Sequence, residues 1–220
     1  WDRPGPLWTG TPRGLARRRG NQVTAVPLAA GEAAGVVDVR ALQLDAQGRV
    51  LAATDRGVMI VEADALRTLH AMDEGGALSL RVDDAEQLWV GGRGRVHVFG
   101  GREARALRLP AGAEAATVTS LARHDGRWWA GGDTGLYVLE GDHWRPQADV
   151  PATHGGVEAL HEDRDGILWA STKDTLYRMR GGRLMERIGA SGALAEIRVF
   201  YEDRESNLWL GSNSEGASRV

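Results

Sequence analysis

The sequence predicts an all-β protein built from repeated four-stranded antiparallel units, and three observations lead to this prediction. Four tryptophans recur at intervals of 40 residues, namely Trp89, Trp129, Trp169 and Trp209. Glycine accounts for 30 of the 220 residues, which indicates many turns. No segment keeps the apolar period of an amphipathic helix. Short strands between Gly and Asp turns, in units of about 40 residues, are typical of a β-propeller.

The first strand of each unit is an apolar stretch that ends at an acidic turn, as in Val157 to Asp163. The second strand carries the recurrent tryptophan and then small residues, with Leu51 and Trp8 in that position in the two earliest copies. A propeller blade is packed on both faces, so a large flat side chain suits the space between blades. We therefore expect five tryptophans to lie at blade interfaces: Trp8, Trp89, Trp129, Trp169 and Trp209.

The third strand follows a glycine, as in Gly135 to Leu139, and a more variable fourth segment such as His143 to Gln147 closes the unit. Four complete units and two partial ones result, all within one propeller domain of residues 1–220. Their approximate bounds are 1–36 (partial), 37–76, 77–116, 117–156, 157–196 and 197–220 (partial). Both partial units contain a second and a third strand, so they do not complete one another in a single blade. We expect the chain to be part of a longer propeller, with self-association or the remaining blades covering its apolar ends.

The charge balance argues against a nucleic-acid-binding surface. The chain has 27 Lys and Arg against 30 Asp and Glu, a formal net charge of −3, and the short basic run Arg17 to Arg19 lacks interleaved aromatic residues. No apolar run is long enough for a membrane-spanning helix. Cysteine is absent, which excludes disulfides and Cys-based metal sites or nucleophiles.

The repeat resembles that of the two-component-regulator propeller family. The best copy runs from Val157 through Asp163, Gly166 and Trp169 to Arg178, and Ile197 to Gly211 matches almost as well. The register is kept over six copies and covers nearly the whole chain. The copies at 37–62 and 77–99 depart most, because one lacks the tryptophan and the other lacks the turn glycine.

The resemblance implies a function. Proteins with these repeats are commonly bacterial membrane sensors with seven-bladed propellers outside the cytoplasm and a histidine kinase or diguanylate cyclase inside. The chain would be part of such a propeller: a non-catalytic, periplasmic input module that binds a small ligand or transmits a signal through association. Any kinase or cyclase activity would lie in a part of the protein not present here.

The residues themselves point to no catalytic, metal or cofactor site. Asp163-Arg164-Asp165-Gly166 has the start of a calcium loop but no distal Glu ligand at the required spacing, so a hairpin turn is the better interpretation. The six histidines form no metal-binding pair, and no G-x-S-x-G nucleophile motif is present.

The predicted ligand-binding residues lie in loops that differ between copies while the scaffold repeats. Such loops converge on one face of a propeller and are free of the structural demands of the repeat. Arginines there suit an anion or a saccharide. The candidates are Arg56, Arg93, Arg95, Asp133, His154, Lys173 and Asn213.

Two other functions remain open at this stage. The propeller could serve as a protein-interaction scaffold without a small ligand, which a continuous apolar patch on a blade would favour. It could also carry a carbohydrate-active or lyase-type enzyme, which clustered carboxylates or histidines with perturbed pKa values would favour.

Overall fold

A computed structural model describes residues 5–73, 75–100, 103–150, 156–189 and 191–220. In these ranges the chain forms 22 strands in six antiparallel sheets, which we call blades 1 to 6. Blades 2 to 5 have four strands, and blades 1 and 6 have three. The all-β prediction, with four complete units and two partial ones, is therefore confirmed. The helical content of these ranges is one short 3-10 turn, Gly192–Leu194, and no helix there is long enough to cross a membrane.

The strands follow one another along the chain. Blade 1 contains β1 (Leu7–Thr11), β2 (Gly14–Arg19) and β3 (Gln22–Ala25). Blade 2 contains β4 (Val39–Leu44), β5 (Val50–Thr54), β6 (Gly57–Glu62) and β7 (Ala65–Ala71). Blade 3 contains β8 (Ser79–Val82), β9 (Leu88–Gly91), β10 (Arg95–Gly100) and β11 (Glu103–Arg108). Blade 4 contains β12 (Val118–His124), β13 (Arg127–Gly132), β14 (Gly135–Glu140) and β15 (His143–Pro146). Blade 5 contains β16 (Ala159–Glu162), β17 (Leu168–Ser171), β18 (Thr175–Arg180) and β19 (Arg183–Gly189). Blade 6 contains β20 (Ile197–Glu202), β21 (Leu208–Ser212) and β22 (Gly216–Arg219).

The described residues fall into two compact units. Unit 1 comprises Trp1–Gly92 and Phe99–Glu103, and unit 2 comprises Arg93–Val98 and Ala104–Val220, so that the boundary passes through β10. In every sheet the strands pair in the order of the sequence.

The turn between the first and second strands is held by an aspartate that accepts the indole N–H of the blade's own tryptophan. The Nε1–Oδ2 distance is 2.9 Å for Trp89 and Asp83, 2.7 Å for Trp169 and Asp163, and 2.8 Å for Trp209 and Asp203. The other carboxylate oxygen accepts backbone N–H groups of the same turn. The aspartate therefore serves as a turn residue, as the sequence predicts, and its acceptor positions are occupied by the protein.

Blades 2 and 4 depart from this pattern where their sequences do. In blade 2 the tryptophan position is Leu51, and Arg49 donates to Asp45 instead, with Nε and Oδ2 2.7 Å apart. In blade 4 the turn is one residue shorter, and the buried His124 stands in the position of the aspartate. The Trp129 indole there donates to the backbone carbonyl of His124 at 3.4 Å.

Neighbouring blades within each unit pack through apolar side chains. In unit 2, Trp129 of blade 4 belongs to a core that includes Leu160 and Leu168 of blade 5. Trp169 of blade 5 likewise packs in a core with Phe200 of blade 6. In unit 1, the equivalent cores join blade 1 to blade 2 and blade 2 to blade 3. Each core is thus shared by two consecutive repeats.

The tryptophan position in blade 6 differs from the others in exposure. Trp89, Trp129 and Trp169 are 3%, 0% and 9% exposed, whereas Trp209 is 38% exposed. Val199 and Tyr201 of β20 are also exposed, at 56% and 59%. We call these three residues the free face of blade 6. The opposite face of the same blade packs on blade 5 through Phe200 and Leu210.

Candidate functional site

Four predicted ligand-binding residues occupy one repeat position, the fourth residue after the tryptophan and one or two residues beyond the end of the second strand. They are Arg93, Asp133, Lys173 and Asn213. At this position Asp133 has a structural role, because its Oδ1 accepts the backbone N–H of Thr117 at 2.9 Å. Asp55 does the same in blade 2, where it accepts the backbone N–H of Asp38 at 2.9 Å.

The three predicted arginines have different surroundings. Arg56 lies in unit 1, and its guanidinium donates to the backbone carbonyls of Ala33, Ala34 and Val36, so the chain's own loop occupies it. Arg93 is exposed and forms an isolated bridge with Thr117, and Arg95 is half-buried in β10. His154 lies outside the described residues.

Lys173 lines a cavity. The cavity lies in unit 2, between the turn after β17 and the segment leading into β20, and has a volume of about 570 Å³. Its lining consists of Lys173, Asp174, Ala195, Glu196 and Ser214. Asn213 lies beside Ser214, where its backbone N–H donates to the carbonyl of Glu196 at 3.1 Å.

Glu196 has a backbone conformation that side chains rarely adopt. Its φ is +53°, in the left-handed region. The repeat places Gly76 and Gly156 at the same position, with φ of +72° and +80°. A non-glycine residue there carries steric strain of about 1–2 kcal/mol, and such strain concentrates at ligand sites. Blade 6 therefore keeps a carboxylate at the cavity in a position where glycine is the relaxed choice.

An ion pair in the same two blades adds to these charged residues. Arg198 of β20 reaches Glu158 in the segment leading into β16, with Nε and Oε2 3.2 Å apart. Glu158 is 11% exposed, and its burial raises the pKa of its carboxyl, an effect that Arg198 opposes. Glu196 also raises the pKa of Glu158, while Lys173 lowers it. The site thus combines two basic groups with several carboxylates at one end of blades 5 and 6.

Chemically, this arrangement suits recognition of a polar ligand by paired charges. Three charged residues line the cavity, namely Lys173, Asp174 and Glu196, and Oδ1 of Asp174 accepts a hydrogen bond from the hydroxyl of Thr175 at 3.1 Å. Among the residues described, no group of three or more His, Asp and Glu side chains is placed to hold a metal ion.

Sequence reasoning missed Glu196, Glu158 and Arg198. A signal for Glu196 was available, because an alignment of the chain's own repeats places it opposite Gly76 and Gly156. The equivalent residues of blades 2 and 4 are Asp38 and Thr117, which do not have a positive φ, so a glutamate with a left-handed φ departs from both forms of the repeat.

Comparisons with known proteins find no matching family model and no similar curated protein. Solved structures do match. The extracellular domain of BT4673 from B. thetaiotaomicron, assigned to the hybrid two component systems, has a TM-score of 0.58 at 16% identity. That match covers 99% of this chain and 37% of the other. PorZ, a bacterial surface component of the type-IX secretion system of Porphyromonas gingivalis, has a TM-score of 0.71 at 15% identity, over 100% of this chain and 37% of PorZ.

A shorter protein also shares the fold. Virginiamycin B lyase from Staphylococcus aureus has a TM-score of 0.67 at 13% identity, over 99% of this chain and 84% of the lyase. At these identities the matches establish the propeller fold. The chain spans 37% of the length of the BT4673 domain. Sensor domains and lyases are both represented among proteins with this fold.

Proposed function

We propose that the chain is the non-catalytic sensor propeller of a bacterial transmembrane signalling receptor, on the periplasmic side of the membrane, and that it binds a small ligand. Two independent observations support this class. The repeat resembles that of the two-component-regulator propellers over six copies. The fold matches the extracellular domain of a protein assigned to the hybrid two component systems.

The observation that carries the ligand-binding proposal is that Glu196 and Lys173 line the same cavity. Glu196 also holds a strained φ of +53° at a position where blades 3 and 5 have glycine, Gly76 and Gly156. A saccharide or a small anion has the hydroxyl or carboxylate oxygens that Lys173 would donate to, and Glu196 would accept from sugar hydroxyls.

A thermal-shift series tests this proposal, with glucose, maltotriose, succinate and inorganic phosphate as probes. We expect at least one probe to raise the melting temperature, and Lys173→Ala or Glu196→Gln to abolish that shift. Arg183→Ala, at an exposed position of β19 in the same blade, is the matched control and should keep it. The proposal fails if no probe binds at millimolar concentration, or if the shift persists in both cavity variants.

The free face of blade 6 supports a second proposal, that a further blade of the same repeat covers it within a longer propeller. The equivalent tryptophan face of blade 5 is covered by the next repeat along the chain, through Phe200, Leu208 and Leu210. The lyase, of which this chain matches 84%, is longer by a margin on the order of one repeat unit. A seven-bladed propeller would provide such a cover.

Extending the chain tests this second proposal. A second copy of residues 180–220 fused after Val220 would add a fourth strand to blade 6 and a seventh blade. We expect hydroxyl-radical labelling of Tyr201 and Trp209, read by mass spectrometry, to fall in the extended protein. The proposal fails if labelling of both residues is unchanged by the extension. It also fails if the 220-residue chain is a dimer by light scattering and both residues are already protected from labelling in that dimer.

The two other functions have less support. A protein-interaction scaffold would use the same free face of blade 6 to bind its partner. A stable dimer of the 220-residue chain would favour this scaffold function. The lyase function rests on the fold likeness to virginiamycin B lyase. We propose that the chain has no enzymatic activity and needs no cofactor.

A further inference from the structure

A second cleft lies in unit 1, away from the residues predicted by sequence. It opens between the turn that joins β4 to β5 and the turn that joins β8 to β9, and its volume is about 160 Å³. A cavity of about 150 Å³ accommodates one benzene ring. The cleft therefore has room for a single ring.

The inner walls of this cleft are uncharged at neutral pH. They are formed by aliphatic side chains such as Leu51 and Leu88 and by a stacked pair of rings, His70 and Phe99. The two ring centroids are 3.9 Å apart and their planes differ by 10°. Burial lowers the pKa of His70 below its ordinary 6.5, which keeps the imidazole neutral at pH 7. An apolar or aromatic body would pack against this surface.

The mouth of the cleft is acidic. Asp45 and Arg49 bind one another, with Nε and Oδ2 2.7 Å apart, and Asp45 also accepts two backbone N–H groups through Oδ1. Glu86 is exposed and accepts one hydrogen bond from Gln47, with Nε2 and Oε1 3.1 Å apart. Since Asp45 and Arg49 neutralise each other, Glu86 supplies the net negative charge among the residues that line the cleft.

Glu86 also has a left-handed backbone conformation, with φ of +59°. The same position of the turn is Gly48 in blade 2 and Gly166 in blade 5, with φ of +76° and +71°, and Ser206 in blade 6, with φ of +63°. Glycine would relax the turn of blade 3. The charged side chain is therefore present at the mouth of the cleft despite a conformational cost, and this points to a role other than forming the turn.

We propose that this cleft binds a small primary amine that carries one ring. The ring packs against the stacked His70 and Phe99, and the ammonium group pairs with Glu86 at the mouth. A carboxylate ligand of the same shape is repelled by Glu86, and a neutral ligand loses the ion pair. This site is independent of the cavity at Lys173, and neither proposal depends on the other.

Calorimetric titration with 2-phenylethylamine tests the proposal, with 2-phenylethanol and phenylacetate as matched neutral and anionic probes. We expect the amine to bind at least tenfold more tightly than the alcohol, and phenylacetate to show no binding. Glu86→Gln should lower the amine affinity to that of the alcohol. The inference is overturned if amine and alcohol bind equally, or if Glu86→Gln leaves the amine affinity unchanged.

The glycine variant separates ligand binding from turn formation. Glu86→Gly restores the residue that the repeat has at this position, so we expect a higher melting temperature together with loss of amine binding. Ser206→Gly is the matched control in blade 6, since it relaxes the equivalent turn and should keep amine affinity within twofold. Retention of full affinity in Glu86→Gly would show that the carboxylate is not a ligand group. Chemical-shift changes at the His70 and Phe99 rings on adding amine locate the bound ring.

Discussion

Trp169 donates its indole N–H to Asp163, six residues earlier in the same blade, with Nε1 and Oδ2 2.7 Å apart. The tryptophan ring packs at the interface with blade 6 while its polar edge ends in the turn. Asp163 also accepts the backbone N–H of Ile167 at 2.8 Å through Oδ1. One carboxylate therefore fixes both the shape of the turn and the orientation of the interface side chain.

Removing this carboxylate should destabilise the protein. Asp163→Ala leaves the indole N–H of Trp169 and the backbone N–H of Ile167 without acceptors, and we expect a loss of about 2–3 kcal/mol in the free energy of unfolding. Urea denaturation followed by circular dichroism measures it. Asp165→Ala in the same turn is the control, because the Asp165 side chain is exposed and the change should stay within about 0.5 kcal/mol. Equal losses in the two variants would contradict this account.

The equivalent pair in blade 6 predicts a pKa change. Donation by the Trp209 indole, with further hydrogen bonds from Asn207 and Glu205, lowers the pKa of Asp203 from 3.8 to about 2. Trp209→Phe should therefore raise the pKa of Asp203 towards 3.8, as measured by carbon-13 NMR of the carboxyl group. The matched control is Trp89→Phe, the same change in blade 3, which should leave the pKa of Asp203 unaltered.

The same pair predicts how stability depends on acidity. Because the folded pKa lies below the unfolded one, the contribution of Asp203 is fully present above pH 3.8 and is lost as the pH falls towards about 2. In this window Trp209→Phe should lose less stability than the wild type. If the free energy of unfolding depends on pH equally in the variant and the wild type, the indole has no effect on the pKa of the carboxyl.

His70 predicts a second effect of pH on stability, and here too stability is lost as the pH falls. Burial lowers its folded pKa below the unfolded value of 6.5, so folding favours the neutral imidazole. Its contribution to stability is complete above pH 6.5 and declines as the pH falls through 6.5 towards the folded pKa. His70→Phe should reduce this slope in urea melts at pH 5 to 8, leaving a remainder from His97, whose pKa burial also lowers. The charged groups that face His70 in its cleft are Asp45, Arg49 and Glu86.

Two turn glycines should respond very differently to the same substitution. A Cβ at Gly156, where φ is +80°, would lie 2.2 Å from the carbonyl oxygen of Gly132. At Gly166 φ is +71°, but no atom lies within 4 Å of such a Cβ. Gly166→Ala should cost about 1–2 kcal/mol of backbone strain, and Gly156→Ala more than twice that amount. Thermal denaturation compares the two variants. Similar melting temperatures would contradict the close approach of the Gly156 Cβ position to the carbonyl oxygen of Gly132.

The scaffold was largely predictable from the sequence because the pattern of each strand recurs in several copies of the repeat. The second strand predicted around Leu51 is β5, Val50–Thr54. The loops that the sequence predicts to bind a ligand were less predictable in structure, since each occurs once. Nothing in the sequence indicates that the guanidinium of Arg56 binds the backbone of residues 33–36, because that loop has no counterpart in other units. The two clefts share one signal in the sequence, because Glu86 and Glu196 each stand at a position where at least two other repeats have glycine.

The free face of blade 6 has a consequence for the order in which unit 2 loses structure. Blade 5 packs against a blade on either side, whereas blade 6 packs against blade 5 alone in the described part of unit 2. When stability is a sum of nearest-neighbour terms, a terminal repeat opens with a smaller free energy than an internal one. Amide protons of β21 should therefore exchange with solvent deuterium sooner than those of β17, although both strands begin with Leu-Trp.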